Sequence, residues 1–195
     1  MNKMLERLSM QMDQRCREWD RPDTPGVIVA VIQDGEFVHQ RGYGCAHLEY
    51  TMPITPSTVF DAGSIAKQFT GMAVAMLAQQ KKLSLEDDIR QYLPEVPDFG
   101  SPILIRHLAH HTSGLRDWIC ALGLAGWRLN DPMLTEDVLT MVKYQKELDF
   151  KPGAEFDYCN TGYTLLAEIV SRIEGEPFSQ WINTHIFKPL GMTQA

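Results

Sequence analysis

The sequence predicts an α+β fold, a mixed α/β arrangement with an antiparallel sheet in which helix predominates. Three observations predict it. The run VIVAVIQ, the pair Asp34-Gly35 and the run EFVHQRGYG place two β-rich segments on either side of a two-residue turn, a hairpin signature. Further along, apolar residues recur at helical spacing, most clearly Tyr163, Leu166, Ile169 and Val170. With 195 residues, 44% hydrophobic and 22% charged, the chain can close a real core, as one domain or as one domain with an inserted subdomain.

The elements follow in order. Leu5, Leu8 and Met12 stand at helical spacing in MNKMLERLSMQMDQRCREWD, predicting an amino-terminal helix. That stretch holds no apolar run of signal-peptide length, so the chain as written is expected in the cytoplasm, or in the periplasm or outside the cell if the amino terminus is incomplete. The hairpin occupies residues 26 to 44, and a loop with Pro53 and Pro56 leads from it to Val59-Phe60-Asp61. AGSIAKQFTGMAVAMLAQQK is apolar nearly all round, predicting a buried helix, with Met72 and Met76 as core packing. Leu83 to Glu86 then predicts a cap and short helix, and Ile103 to His110 a short helix closed by a Thr112-Ser113-Gly114 turn. Thr135 with Asp137 starts a helix through Val142. Two more are expected, from Thr161 to about Ile173 and from Pro177 to Phe187. In domain terms, residues 1–80 hold the amino-terminal helix, the hairpin and the Ser64 helix, residues 81–175 a mostly helical region, and residues 176–195 the start of a return to the α/β region.

Charge narrows the function classes. The net charge of −7, with acidic residues gathered at Glu86, Asp87, Asp88 and Glu95, argues against nucleic-acid or anionic-membrane partners and leaves a small molecule as the expected one. Cys16, Cys45, Cys120 and Cys159 show no Cys-x-x-Cys pairing, so reduced thiols are expected.

Two motifs carry chemistry. Ser64 is the one serine followed three residues later by lysine, Lys67, and residues i and i+3 share a helix face. Burial and the positive end of a helix both favour the neutral form of an amine, which can then take a proton from a neighbouring hydroxyl. Serine needs such a base to become a nucleophile, and backbone N–H groups at a helix start can hold an oxyanion. Ser64 as a simple cap with Lys67 snorkelling to solvent is the plain alternative. The second motif, Tyr158-x-Asn160, stands where a loop enters a helix and is likewise unique, with a phenol and a carboxamide able to face one pocket; Cys159 between them is a spacer.

In this order, GSIAKQFTG, LAHHTSGLRDW, KPGAEFDYCNTGYTLLAEIV and FKPLGMTQ resemble the serine β-lactamase and penicillin-recognising hydrolase superfamily. The closest branch is class C, with its β-lactamases, D-alanyl-D-alanine carboxypeptidases, D-aminopeptidases and esterase relatives. Tyrosine at 158 points away from class A enzymes, which carry Ser-Asp-Asn. The resemblance runs from about Pro25 to the last residue. It implies a β-lactamase/transpeptidase-like fold and hydrolysis of an amide, β-lactam or ester through an acyl-enzyme at Ser64, with no cofactor. Lys67 and Tyr158 would move the proton, Asn160 would bind the substrate amide and steady Lys67, and the Ser64 N–H would be half of the oxyanion hole. A phenol of ordinary pKa near about 10 is a poor base, so the scheme asks for a neighbouring cation, with Lys67 the candidate.

The family's third motif, Lys-Thr-Gly or His-x-Gly on a pocket strand, does not occur in this sequence; the nearest string, His111-Thr112-Ser113-Gly114, comes before Tyr158 in a turn. That strand supplies the second oxyanion donor, and losing one such donor costs about 100- to 1000-fold in rate. The chain is therefore expected to be the amino-terminal half of such an enzyme, with a partner chain as one source of the missing strands. A catalytically incompetent fragment or non-catalytic binding module is the main alternative. A minor one is a zinc-dependent hydrolase using His107, His110 and His111, which fall at i, i+3 and i+4, although no His-Glu-x-x-His base accompanies them.

Overall fold

A computed structural model describes residues 3–128 and 130–195. The chain divides into two compact units, one up to Asp61 and one from Ala62 to Thr193. The division leaves the Ser64 turn in the second unit.

In the first unit, helix α1 (Lys3–Cys16) precedes strands β1 (Val27–Gln33) and β2 (Glu36–Tyr43), which pair antiparallel from Val27 opposite Tyr43 to Gln33 opposite Glu36. Asp34 and Gly35 both have positive φ, 53° and 83°, the backbone that a two-residue hairpin turn requires. The predicted hairpin is present, with a register shift between Val31 and Ile32. A second small hairpin pairs β3 (Cys45–His47) with β4 (Met52–Pro53), where the sequence suggests only loop. Its strands are too short for alternation to be visible, and Pro53 sits at the end of one, where a missing N–H is tolerated. A polar chain ties α1 to β2: Ser9 Oγ lies 2.9 Å from His39 Nδ1, His39 Nε2 lies 3.1 Å from the Tyr43 hydroxyl, and that hydroxyl donates to Asp13 at 2.8 Å. Burial first, then the Asp13 carboxylate, holds the Tyr43 phenol well above its ordinary value.

The second unit is helical: α2 (Lys67–Gln79), α3 (Ile105–Ala109), α4 (Trp118–Leu124), α5 (Thr135–Tyr144), α6 (Asn160–Glu174) and α7 (Phe178–Ile182), the last continued by a π turn over Asn183–Phe187. Helix α6 is its axis, packing on α2, α3, α4, α5 and α7. Of the face that the apolar spacing predicted, Leu166, Ile169 and Val170 are fully buried and Tyr163 partly so; Leu165 joins them, and each fully buried side chain contributes roughly 1.5–3 kcal/mol relative to exposure. They meet Ala73, Val74 and Leu77 of α2, Ile105 and Leu108 of α3, and Val142 of α5 in one cluster. Gly175, at φ 72°, ends α6 in the left-handed conformation typical of a helix terminus.

Two local expectations are corrected. The Ser64 segment is not buried all round: α2 buries Thr70, Ala73, Val74 and Leu77 and partly Met76, while Ile65 and Met72 are exposed. Periodicity cannot select a face on a segment apolar on every side; packing on α6 does. Nor do Leu83 to Glu86 form a helix. The Ser84 hydroxyl accepts from Glu86 N, and Asp87 accepts from Ser84 N, which closes a turn instead. The helical turn comes later, at Ile89–Gln91, capped by Asp88.

Candidate active site

Local structure sets the first pair. Gly63–Ala66 forms a 3-10 turn that runs into α2, so Ser64 and Lys67 lie on one face of one turn. Lys67 Nζ donates to Ser64 Oγ at 3.1 Å. Ser64 is exposed and Lys67 half-buried, so neither is the fully buried group that the apolar sequence suggests.

Tertiary structure brings the second pair. Tyr158 stands just before the extended Cys159 that precedes α6, and Asn160 opens that helix. The Tyr158 hydroxyl lies 2.6 Å from Ser64 Oγ, across 94 residues of sequence, and Lys67 Nζ donates to Asn160 Oδ1 at 2.8 Å. Lys67 Nζ also stands 4.8 Å from the centre of the Tyr158 ring and 5.6 Å from that of Tyr163, within cation–π range. All four residues singled out from the sequence thus meet at one point, inside the second unit. Hydrogen bonding with Lys67, and then with Ser64, holds the Tyr158 phenol below its ordinary value, because both favour the phenolate.

The segment His111 to Asp117 frames this pair. His111 Nδ1 accepts from Cys159 N at 3.1 Å, and its ring lies 4.5 Å from that of Tyr158 and 5.2 Å from that of Tyr163. Burial, with the Lys67 charge nearby, keeps the His111 imidazole below the usual histidine value. The backbone joins too: Asp157 N donates to His111 O, Gly153 N to Thr112 O and Asp149 N to Gly114 O. Gly114, at φ 74°, abuts the Phe150 carbonyl, so a side chain there would collide with it. Asp117 accepts from both the backbone N and the side-chain Nδ2 of Asn160. Thr161 Oγ1 accepts from Trp118 N and donates to Arg116 O.

The histidine trio does not form the alternative zinc centre. His107 Nδ1 accepts from Leu104 N, and His111 Nδ1 is occupied by Cys159 N, so two of the three rings serve backbone donors instead of converging. Among the described residues, no three His, Cys, Asp or Glu side chains gather as metal ligands. Sequence reasoning missed Asp117 and Tyr163, and gave His111 only a metal role. The available signal was the position of Asp117 directly before Trp118-Ile119, an N-cap pattern, but its second partner lies 43 residues away.

A family model described as Beta-lactamase matches residues 13–195. The chain belongs to the Beta-lactamase family. Over 172 residues, 88% of its length, it is 36% identical to a D-aminopeptidase of Gluconobacter oxydans (strain 621H), of which the match covers 32%. The octameric penicillin-binding protein homologue from Pyrococcus abyssi superimposes with a TM-score of 0.78 at 30% identity, over 97% of this chain and 43% of that one. A class C β-lactamase solved in complex with cefoxitin gives a TM-score of 0.73 at 25% identity, over 97% and 49%. The β-lactamase/transpeptidase-like fold expected from the motifs is therefore present, and the chain spans 32% to 49% of these relatives' lengths. Among the described residues of this Beta-lactamase family member, no helix is long and apolar enough to cross a membrane.

Proposed function

We propose that this chain carries the acylating part of a serine hydrolase site that acts on amide, β-lactam or ester carbonyls. The contact that carries it is Ser64 Oγ placed between the Tyr158 hydroxyl at 2.6 Å and Lys67 Nζ at 3.1 Å. A weak nucleophile needs a base within hydrogen-bond reach, and both neighbours are within it. Ser64 Oγ attacks the carbonyl carbon while its proton passes to the Tyr158 oxygen. The same phenol then protonates the departing amine or alkoxide, leaving the acyl group on Ser64. Water, deprotonated by Tyr158, hydrolyses that ester in the second half of the cycle. A phenolate is the form this route needs first, and the lowered phenol value of Tyr158 supports its presence nearer neutral pH.

The Ser64 N–H, in the first turn of the 3-10 segment, lacks a partner within the helix and is suited to half of an oxyanion hole. The other donor belongs to a strand with the third motif, which these residues do not include and another segment or a partner chain would supply. Likeness to a D-aminopeptidase and to a class C β-lactamase supports a small D-amino-acid amide or β-lactam as substrate. Mass spectrometry of the protein with a fluorophosphonate or a β-lactam, beside Ser64→Ala, tests the proposal. A covalent adduct present in the parent and absent from the variant is expected. No adduct on a demonstrably folded chain overturns it in favour of a non-catalytic binding module.

A further inference from the structure

Asp117 makes three hydrogen bonds with two oxygens. Oδ1 accepts from Ile119 N at 2.9 Å and so caps α4, while Oδ2 accepts from Asn160 N at 2.5 Å and from Asn160 Nδ2 at 2.9 Å. A carboxylate only accepts and an ammonium only donates. The Asn160 amide lies between one of each, Asp117 at its Nδ2 and Lys67 at its Oδ1. Left alone, an asparagine amide has two nearly isosteric orientations related by a half-turn. Here only one satisfies both neighbours; the other sets NH2 against ammonium and carbonyl against carboxylate.

We propose that Asp117 is a positioning residue for acyl transfer: it holds the Asn160 amide with its carbonyl toward Lys67 and thereby holds the Lys67 ammonium beside Ser64 Oγ and the Tyr158 ring. The inference rests on the acyl-transfer proposal for its catalytic meaning, and Asp117 touches none of the reacting atoms. Its freedom to act otherwise is small. Both flanking residues are tied to the start of α6 through Thr161, which accepts from Trp118 N and donates to Arg116 O, so the Asp117 backbone is held beside Asn160. The charged and titratable side chains facing this cluster are Lys67, His111, Tyr158, Cys159 and Tyr163.

Asp117→Asn separates positioning from capping, because an asparagine caps a helix as well as an aspartate while presenting NH2 to the two Asn160 donors. Asp117→Ser, also a capping residue with no second acceptor, serves as the independent variant. The first readout is the Asn160 side-chain NH2 signal in 15N-labelled protein. It is expected downfield and slowly exchanging in the parent, and at the position of a free amide in both variants, with melting temperatures within a few degrees. The second is the titration midpoint of the Tyr158 ring carbon Cζ. If Asp117 positions Lys67, the midpoint rises toward the ordinary tyrosine value in the variants, because the cation that favours the phenolate has moved. If Asp117 acts only as a nearby negative charge, its removal lowers the midpoint, and a fall or no change overturns the proposal. Where the parent forms the Ser64 adduct, the variants are expected to acylate about 10- to 100-fold more slowly with unchanged reversible binding. Where the parent forms none, the acyl-transfer proposal fails, and the amide signal and the Tyr158 titration still decide the role of Asp117.

Discussion

The two halves of the candidate site are built in opposite ways. Ser64 and Lys67 come from one helical turn at an exposed helix start, and their spacing is a property of helix geometry alone. Tyr158 and Asn160 are held by a frame made of His111, Gly114, Asp117 and Thr161, each reaching across more than thirty residues of sequence. The first half depends little on the packed core for its shape, whereas the second depends on it entirely. Substitutions on the Ser64 side should therefore change reactivity without stability, and substitutions in the buried face of α6 that carries the Tyr158 side should change stability first.

The largest expected effect would come from Tyr158→Phe, which removes the hydroxyl facing Ser64 and leaves the ring on His111. Acylation by a fluorophosphonate should slow by about 100- to 10,000-fold, the usual range for loss of a general base, with the urea midpoint nearly unchanged. A large stability loss would show that the phenol belongs to the frame and would break the contrast. Next in size is Leu166→Ala, in the buried face of α6 that carries the frame. It should lower unfolding free energy by about 2–5 kcal/mol, measured by urea denaturation, while the fraction still folded reacts with the probe at the parental rate.

A smaller effect is expected from pH. The folded state holds His111 below its unfolded value of about 6.5, so the unfolded chain binds the proton more readily, and the stability that neutral His111 contributes is lost as pH falls from 6.5 through the lower folded value. Urea midpoints measured between pH 7.5 and 5 should fall on the acid side in the parent, and the His111→Gln variant should show a flatter profile. Equal slopes would remove His111 from the frame. The smallest effect belongs to Ile65→Ser, one residue after the proposed nucleophile. Ile65 is 63% exposed, and its replacement should shift stability by no more than about 0.5 kcal/mol. A larger loss would mean that the Ser64 turn is packed more tightly than its exposure indicates.

How much was legible in the sequence follows the same division. The hairpin was, because Asp34-Gly35 between β-rich runs specifies its own turn, and α5 and α6 were, because capping residues and a 3.6-residue period are local signals. Leu83 to Glu86 was misjudged because Ser84 and Asp87 bond to backbone groups within the turn, an outcome that propensity does not distinguish from a cap. The β3–β4 pair was hidden by strands of two and three residues.

By itself, then, the sequence determined the chemistry available: a serine three residues from a lysine on one helical face, and a phenol two residues from a carboxamide where a loop enters a helix. These are fixed by covalent order and helix geometry, which need no other part of the chain. Tertiary structure alone decided that the two motifs meet, with Tyr158 2.6 Å from Ser64, and that Asp117 faces the Asn160 amide. It also decided which side of α2 is buried. The physical reason is that such contacts join residues far apart in sequence, and their geometry exists only once the burial of α6 has set the distance between them.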